Sequence, residues 1–301
     1  MCGVASHRGE ALSASFIAAA LAAFVEVPPP PALGLRQYTM CRCPQCALEF
    51  AEPLAPAGEP FYAWLDENLK YYDQRRWEWD RVEAQVAGHR PSASVLEIGA
   101  GDGRFLRRLR DAGARTVAIE RPGAATAALR AQGIESFAQD EAAIALAGRR
   151  FDFVLAFHCL EHVADPVALL ESMRHWAGPA GRVLFSVPFS PMFFERRWFD
   201  PLNHPPHHLT RWNARALARL AERCGTTARL QLPAALPLLT RARHSLAIQH
   251  FGAHWKRHPA WRWLPLRQPL RFAVELLAQL ARERVDGRVA ADVVLVEVPG
   301  R

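Results

Sequence analysis

The sequence predicts an α/β fold, a largely parallel sheet with helices on both faces. Three observations lead there. Short apolar runs alternate with amphipathic stretches of about ten residues between positions 95 and 187, the pattern of repeated β-α-β units. Gly99, Gly113, Gly133, Pro166 and Gly181 stand at the changes from one to the other. The apolar runs are continuous, as in strands covered on both faces.

The stretch 11–25 is apolar and uncharged and is followed by four prolines at 28–31. A secretory leader behind Arg8 and a short helix stopped by the prolines both fit it. Glu10 spoils the basic start of a leader, and the run is shorter than the roughly 20 residues of a spanning helix. Stretch 61–86 carries Tyr62, Trp64, Tyr71, Tyr72, Trp77 and Trp79 at a spacing that suits one or two amphipathic helices. A strand over 95–98, a helix over 103–112 and a strand over 115–120 follow. A helix over 124–132, a short third strand, a strand over 151–157, a helix over 166–176 with proline in its first turn and a strand over 182–187 complete the alternation. Asn213 caps a helix that runs to Cys224, with Gly225 after it. Strands over 228–232 and 292–298 come last, with an amphipathic helix over 271–285 between them that places Phe272, Leu276, Leu277 and Leu280 on one side. The organisation expected is an N-terminal segment 1–60, a core 61–233, an insertion 234–288 and a last core strand in 289–301.

Half of the 301 residues are apolar and 22% are charged, which suits a packed core and excludes a disordered or fibrous chain. The net charge is +7, and the insertion 234–288, with ten Lys/Arg against three Asp/Glu, carries all of it. Trp255, Trp261 and Trp263 lie among these cations. Cys41, Cys43 and Cys46 cluster while Cys2, Cys159 and Cys224 are scattered, unlike a secreted disulfide scaffold. A reducing, cytoplasmic setting is expected.

The strand at 95–98 runs directly into Gly99-Ala100-Gly101-Asp102-Gly103. Glycines at alternate positions allow a tight turn and a close approach of a ligand to the backbone. Arg104 stands where a dinucleotide fingerprint would place its third glycine, so a pyrophosphate is disfavoured. Glu120 ends the next strand nineteen residues past Gly101, where a carboxylate can accept two ribose hydroxyls. Asp140, in the turn after the third strand, suits an adenine amino group, with Glu141 as the alternative. The strand ending at Phe157 leads into His158-Cys159-Leu160-Glu161-His162-Val163-Ala164-Asp165-Pro166 at the edge where open α/β sheets bind ligands.

With these motifs in this order, and with Gly181-Arg182-Val183-Leu184-Phe185-Ser186-Val187-Pro188 after them, the sequence resembles a class I S-adenosylmethionine-dependent methyltransferase over about residues 71–229. The resemblance implies a Rossmann-like seven-stranded sheet with six parallel strands and an antiparallel last one. It implies S-adenosylmethionine as cofactor, contacted by Glu97, Gly99, Ala100, Gly101, Gly103, Glu120 and Asp140, with Phe157 and His158 at the end of the neighbouring strand. In some quinone O-methyltransferases that the chain resembles, carboxylates near this site bind a metal. Here His158 replaces one of them, and packing is the favoured role for His158, Glu161 and His162.

Oxygen as the methyl acceptor requires a base, and His207 and His208 in Pro205-Pro206-His207-His208-Leu209 are the candidates. Met192, Phe193, Phe194 and Trp198 suit an acceptor-facing loop or the core. Cys43-Pro44-Gln45-Cys46 is half of a zinc ribbon, with Cys41 or His7 available to complete it and Cys2-Gly3 like the tail of a second knuckle. A small-molecule, glycan or lipid-linked acceptor is expected. The insertion suits a lid, a partner contact or an anionic membrane surface. Nucleic acid is disfavoured, because no RNA-binding module stands beside the cations. An RNA methyltransferase and a non-catalytic assembly protein remain the alternatives; the oligomeric state is open.

Overall fold

The computed structural model describes residues 2–69, 76–192, 194–195, 197–234, 236–286 and 292–301. Tyr71, Tyr72 and Phe193 of the sequence reading lie outside them. The N-terminal segment forms β1 (His7–Leu12), α1 (Ala14–Val25), β2 (Tyr38–Arg42) and β3 (Glu49–Glu52). The Ser13 hydroxyl accepts the N–H of Phe16 at 3.1 Å and so starts α1. Ile17, Leu21 and Val25, one turn apart, form its buried stripe. The apolar run at 11–25 is thus helical from Ala14, while Leu12 ends a strand that the sequence did not announce.

Helices α2 (Glu59–Asn68) and α3 (Trp77–Ala87) lead into the alternating core. Its elements are β4 (Ser94–Ile98), α4 (Arg104–Asp111), β5 (Arg115–Glu120), α5 (Ala124–Ala131), β6 (Glu135–Ala138) and α6 (Ala142–Ala145). They continue with β7 (Phe153–Phe157), α7 (Pro166–Ala177), β8 (Arg182–Pro188), β9 (Thr210–Arg211), α8 (Ala214–Arg223) and β10 (Arg229–Gln231). The insertion builds α9 (Leu238–Phe251), α10 (Leu264–Arg267) and α11 (Pro269–Asp286), and β11 (Val293–Pro299) follows.

The main sheet has seven strands in the order β10-β11-β8-β7-β4-β5-β6. Strands β8, β7, β4, β5 and β6 are parallel neighbours, whereas β11 lies antiparallel between β8 and β10. Successive side chains leave a strand on opposite sides. Val154 and Ala156 therefore join Leu170 and Leu217 on one face, and Phe153 and Leu155 join Phe105 and Leu106 on the other. This double burial is why the strands read as continuous apolar runs.

A second sheet, β1-β2-β3-β9, joins the three N-terminal strands to the short strand at 210–211. Glu49 pairs with Arg211 and Phe50 with Thr210. The N-terminal segment is thereby clamped directly after the His207-His208 element. The insertion packs Leu246, Ile248, Trp255 and Leu264 against Met192 and Phe194. The four apolar residues expected on one side of α11 do not share one environment. Phe272 and Leu276 are half-buried, but Leu277 and Leu280 are exposed. The inward stripe passes instead through Glu275 and Gln279, which are both buried.

Candidate active site

The carboxyl ends of β4, β5 and β7 open into one cavity of about 370 Å³. Sterics alone shape its floor. Gly99 and Gly101 have φ of 72° and 56°, in the left-handed region where a side chain is strained, and both line the cavity with Ala100 and Asp102. Gly103 shares the positive φ but faces the core: a Cβ there would lie 2.6 Å from Leu129 Cδ2 and 2.7 Å from Ile134 Cδ1. Of the three turn glycines, two face the cavity and one lets the start of α4 pack against Leu129 of α5 and Ile134.

Glu120 and Glu97 supply the carboxyl groups. The Gly101 N–H donates to Glu120 Oε2 at 2.7 Å, and the Arg121 N–H donates to Oε1 at 2.8 Å. Each carboxylate oxygen keeps a further lone pair. Glu97, buried at the end of β4, has an Oε2 with no hydrogen-bond partner among the described residues. Burial, the largest influence, pushes its carboxyl well above the usual range; Arg76 opposes that shift and Glu120 and Asp102 add to it. A buried acid with an oxygen to spare fits a ligand that brings its own donors.

Gln139, not Asp140, stands against the cavity after β6; Asp140 is exposed beside it. Phe157 and His158 both line the wall. His158 is a non-glycine residue with φ of 50°. Its Nε2 lies 3.1 Å from Glu78 Oε1 and its Nδ1 lies 3.5 Å from Glu161 Oε1. Burial disfavours the imidazolium there, but the Glu161 and Glu78 carboxylates outweigh it and raise the pKa. Residues 160–162 form a 3-10 turn, so Glu161 turns into the core while His162 reaches the cavity.

His207 and His208, expected beside the acceptor, are buried behind this wall and do not line the cavity. Their rings stack 4.6 Å apart. His207 Nδ1 donates to the Leu202 carbonyl at 2.8 Å, and His208 Nδ1 donates to Asn203 Oδ1 at 3.1 Å. Burial lowers both pKa values well below the ordinary value. His162 Nδ1 donates to the His207 carbonyl at 2.6 Å. A carbonyl only accepts, so the proton sits on Nδ1 and the Nε2 lone pair of His162 is left available. Burial lowers the His162 pKa as well.

Tyr62, Arg76, Trp79 and Arg121 also line the cavity, and the Arg121 guanidinium lies 4.1 Å from the Tyr62 ring centre. Tyr62 and Trp79 sit on the amphipathic helices expected of the aromatic stretch, where the spacing carried no site role for them. The aromatic spacing gives the helix, but only the packing of α2 and α3 over the strand ends gives the face.

Among the described residues, two groups of side chains come close enough to share a metal ion. In His162, His207 and His208, and separately in Cys2, Cys43 and Cys46, one potential ligand atom per residue lies within 4.8 Å of the others. Cys2 thus joins Cys43 and Cys46 in the place considered for Cys41 or His7. The Cys41 thiol instead points to the Thr39 carbonyl and Glu52, and His7 pairs on β1 with Arg42. The Cys43–Leu48 turn closes through Cys43 N–H to Leu48 O and Ala47 N–H to Cys43 O, both 2.9 Å. Ala47 and Gly3, each directly after a cysteine of the group, are both left-handed, with φ of 56° and 69°. Burial pushes the Cys46 thiol up to about 11, whereas N–H groups of Cys46 and Gln45 overcome burial at Cys43 and lower it.

A family described as a methyltransferase domain matches residues 69–230. The ubiquinone biosynthesis O-methyltransferase of Paraburkholderia phytofirmans is 29% identical over 138 residues, which are 42% of this chain and 58% of that protein. The chain therefore spans less than two thirds of that relative's length. Among solved structures, a chain in the complex between the Haloferax volcanii Trm112 methyltransferase activator and a putative methyltransferase superposes with a TM-score of 0.53 at 17% identity, covering 80% of this chain and 97% of that one. A SAM-dependent methyltransferase from Archaeoglobus fulgidus gives 0.51 at 14% identity, with 79% and 99% covered. At these identities the two structures speak for the fold.

Proposed function

The chain belongs to the methyltransferase-domain family, and from that premise we propose that it moves a methyl group from S-adenosylmethionine to an oxygen of a small-molecule or glycan acceptor. The observation that carries the proposal is the Gly101–Glu120 bond. It fixes a carboxylate with lone pairs to spare at the rim of a glycine floor, beside a buried carboxyl that lacks a donor. These residues fit the cofactor: Glu120 suits a ribose diol, Glu97 an ammonium group, and the Gly99–Gly101 turn a close approach. When bound, S-adenosylmethionine supplies an electrophilic sulfonium methyl. Gln139 closes the cavity near Asp140, and Phe157 and His158 form its wall.

Alignment and exclusion of water supply most of such a rate enhancement, with effective molarity contributing roughly 7 to 11 kcal/mol. A hydroxyl acceptor also loses a proton. His162 is suited to take it: it lines the cavity, is held through Nδ1 by the His207 carbonyl, and is kept neutral near pH 7 by burial. His207 and His208 act as positioning residues for that ring. The O-methyltransferase relative favours oxygen over nitrogen.

Calorimetric titration with S-adenosylmethionine and S-adenosylhomocysteine tests the reading. Binding in the micromolar range is expected, weakened about tenfold or more in Glu120→Ala, since hydrogen bonds to a carboxylate are worth about 1.5 to 3 kcal/mol. Folded protein that binds neither compound removes the proposal.

We further infer a structural zinc ion at Cys2, Cys43 and Cys46. Their sulfurs lie within 4.8 Å of one another and supply three of the four ligands that a tetrahedral zinc site takes.

A further inference from the structure

Helix α11 is built with its polarity reversed. Glu275 and Gln279 on its inner side are 3% and 1% exposed. Leu270, Val274 and Leu277 on its outer side are 82%, 54% and 66% exposed. The inward polar side is anchored, because Ser245 Oγ donates to Glu275 Oε2 at 2.7 Å and Arg197 Nε lies 3.5 Å from Glu275 Oε1. The helix therefore cannot roll its leucines inward without breaking buried polar contacts. Trp263 and Leu266, 60% and 75% exposed just before it, extend the outward apolar surface.

Among the described side chains of 252–281 the exposed formal charges have one sign. Between 252 and 281 the exposed charged side chains are Lys256, Arg257, Arg262, Arg267 and Arg271, and the one acid, Glu275, is buried. A second copy laid face to face would bring these cations together. A nucleic acid would meet the cations and leave the leucines in water. An anionic bilayer surface meets both demands, with apolar side chains entering the interface and arginines at the headgroup level. No helix among the described residues is long and apolar enough to cross a membrane, so α11 is suited to lie along the surface.

We propose that the outer face of α11, continued by Leu266 and Trp263, docks on a bilayer containing anionic lipid. The inference stands apart from methyl transfer, and cofactor titration serves as its folding control. The test is flotation of the whole chain with vesicles of phosphatidylcholine alone, or with about one third phosphatidylglycerol. Wild-type protein is expected to float with the anionic vesicles and stay behind with the neutral ones. Leu270→Ser with Leu277→Ser should reduce the bound fraction by about tenfold or more at unchanged cofactor affinity and melting temperature. Arg267→Ser with Arg271→Ser should abolish the preference for anionic lipid. Wild-type protein that ignores both vesicle types overturns the proposal, as does a double leucine variant that floats like wild type. A concentration-dependent dimer in sedimentation velocity that the leucine substitutions abolish, without vesicle binding, assigns the face to a second copy instead.

Discussion

His162 is the side chain on which binding and turnover should separate. As the proposed base it works neutral, and burial places its pKa below the ordinary imidazole value, so the methyl-transfer rate should be flat near pH 7 to 8 and fall only on the acid side of about 6.5. His162→Gln should lower kcat by about 10² to 10⁴, remove that acid limb and leave cofactor affinity unchanged. Steady-state pH profiles on the first methylated acceptor read all three. Asp152 makes a contrasting case that concerns stability. Its carboxylate accepts from Arg90 Nη2 at 2.7 Å, Ser94 N–H at 2.7 Å and Ser94 Oγ at 2.8 Å. Burial opposes ionisation, but Arg90 and Ser94 overcome it and hold the group well below the usual carboxylate range. Its contribution is therefore complete above the unfolded pKa of about 3.9 and lost as pH falls. Asp152→Asn should melt several degrees lower at pH 7, and the gap should narrow between pH 5 and 2 in acid-unfolding curves. Glu120 was legible from its distance to Gly101. His162 was not, because its role depends on a 3-10 turn that parts it from Glu161.

Single elements are stabilised by local signals, and those signals were readable. Asp165 caps α7, its Oδ1 accepting from Val167 N–H at 3.1 Å and Ala168 N–H at 3.0 Å, with Pro166 at the first helical position. Asp165→Ala should cost about 1 kcal/mol in urea unfolding with no change in cofactor binding. A loss well above that would mean the cap also supports the 158–162 wall. The alternation from β4 to β8 was legible for the same reason: each strand and helix is punctuated within its own sequence. The four-stranded sheet was not, because β9 is two residues long and meets β3 across some 160 residues. The sequence of helix α11 did not fix which side faces inward, because both of its sides carry leucine. Periodicity detects a stripe but cannot say which of two apolar stripes turns inward.

In the whole molecule, the cysteine turn is tied to the catalytic half. Asn213 Nδ2 donates to the Ala47 carbonyl at 2.7 Å, and Arg215 donates to the Gln45 carbonyl. The proposed zinc ion should therefore stabilise more than its own loop. Elemental analysis of purified protein is expected to give about one zinc per chain. Cys43→Ser with Cys46→Ser should lose it and melt several degrees lower, while Cys41→Ser should retain it. Metal-free wild-type protein would end that part of the reading. The cysteine pair was visible in the sequence, and so was Cys2-Gly3 as the tail of a second knuckle, but not that Cys2 meets the pair. Cys2 reaches it only because β1 and β2 pair and carry the first residues back to the 43–48 turn.

The position of β11 has a consequence for how the molecule is made. It lies between β8 and β10, hydrogen-bonded to both, yet it follows every other strand in chain order. Until residues 293–299 leave the ribosome, β8 presents an edge of unpaired backbone N–H and C=O groups and β10 has nothing to join. The long cationic insertion keeps that gap open for the time needed to translate more than fifty further residues. A nascent chain arrested in this interval is the form most exposed to chaperone capture and to strand-edge aggregation.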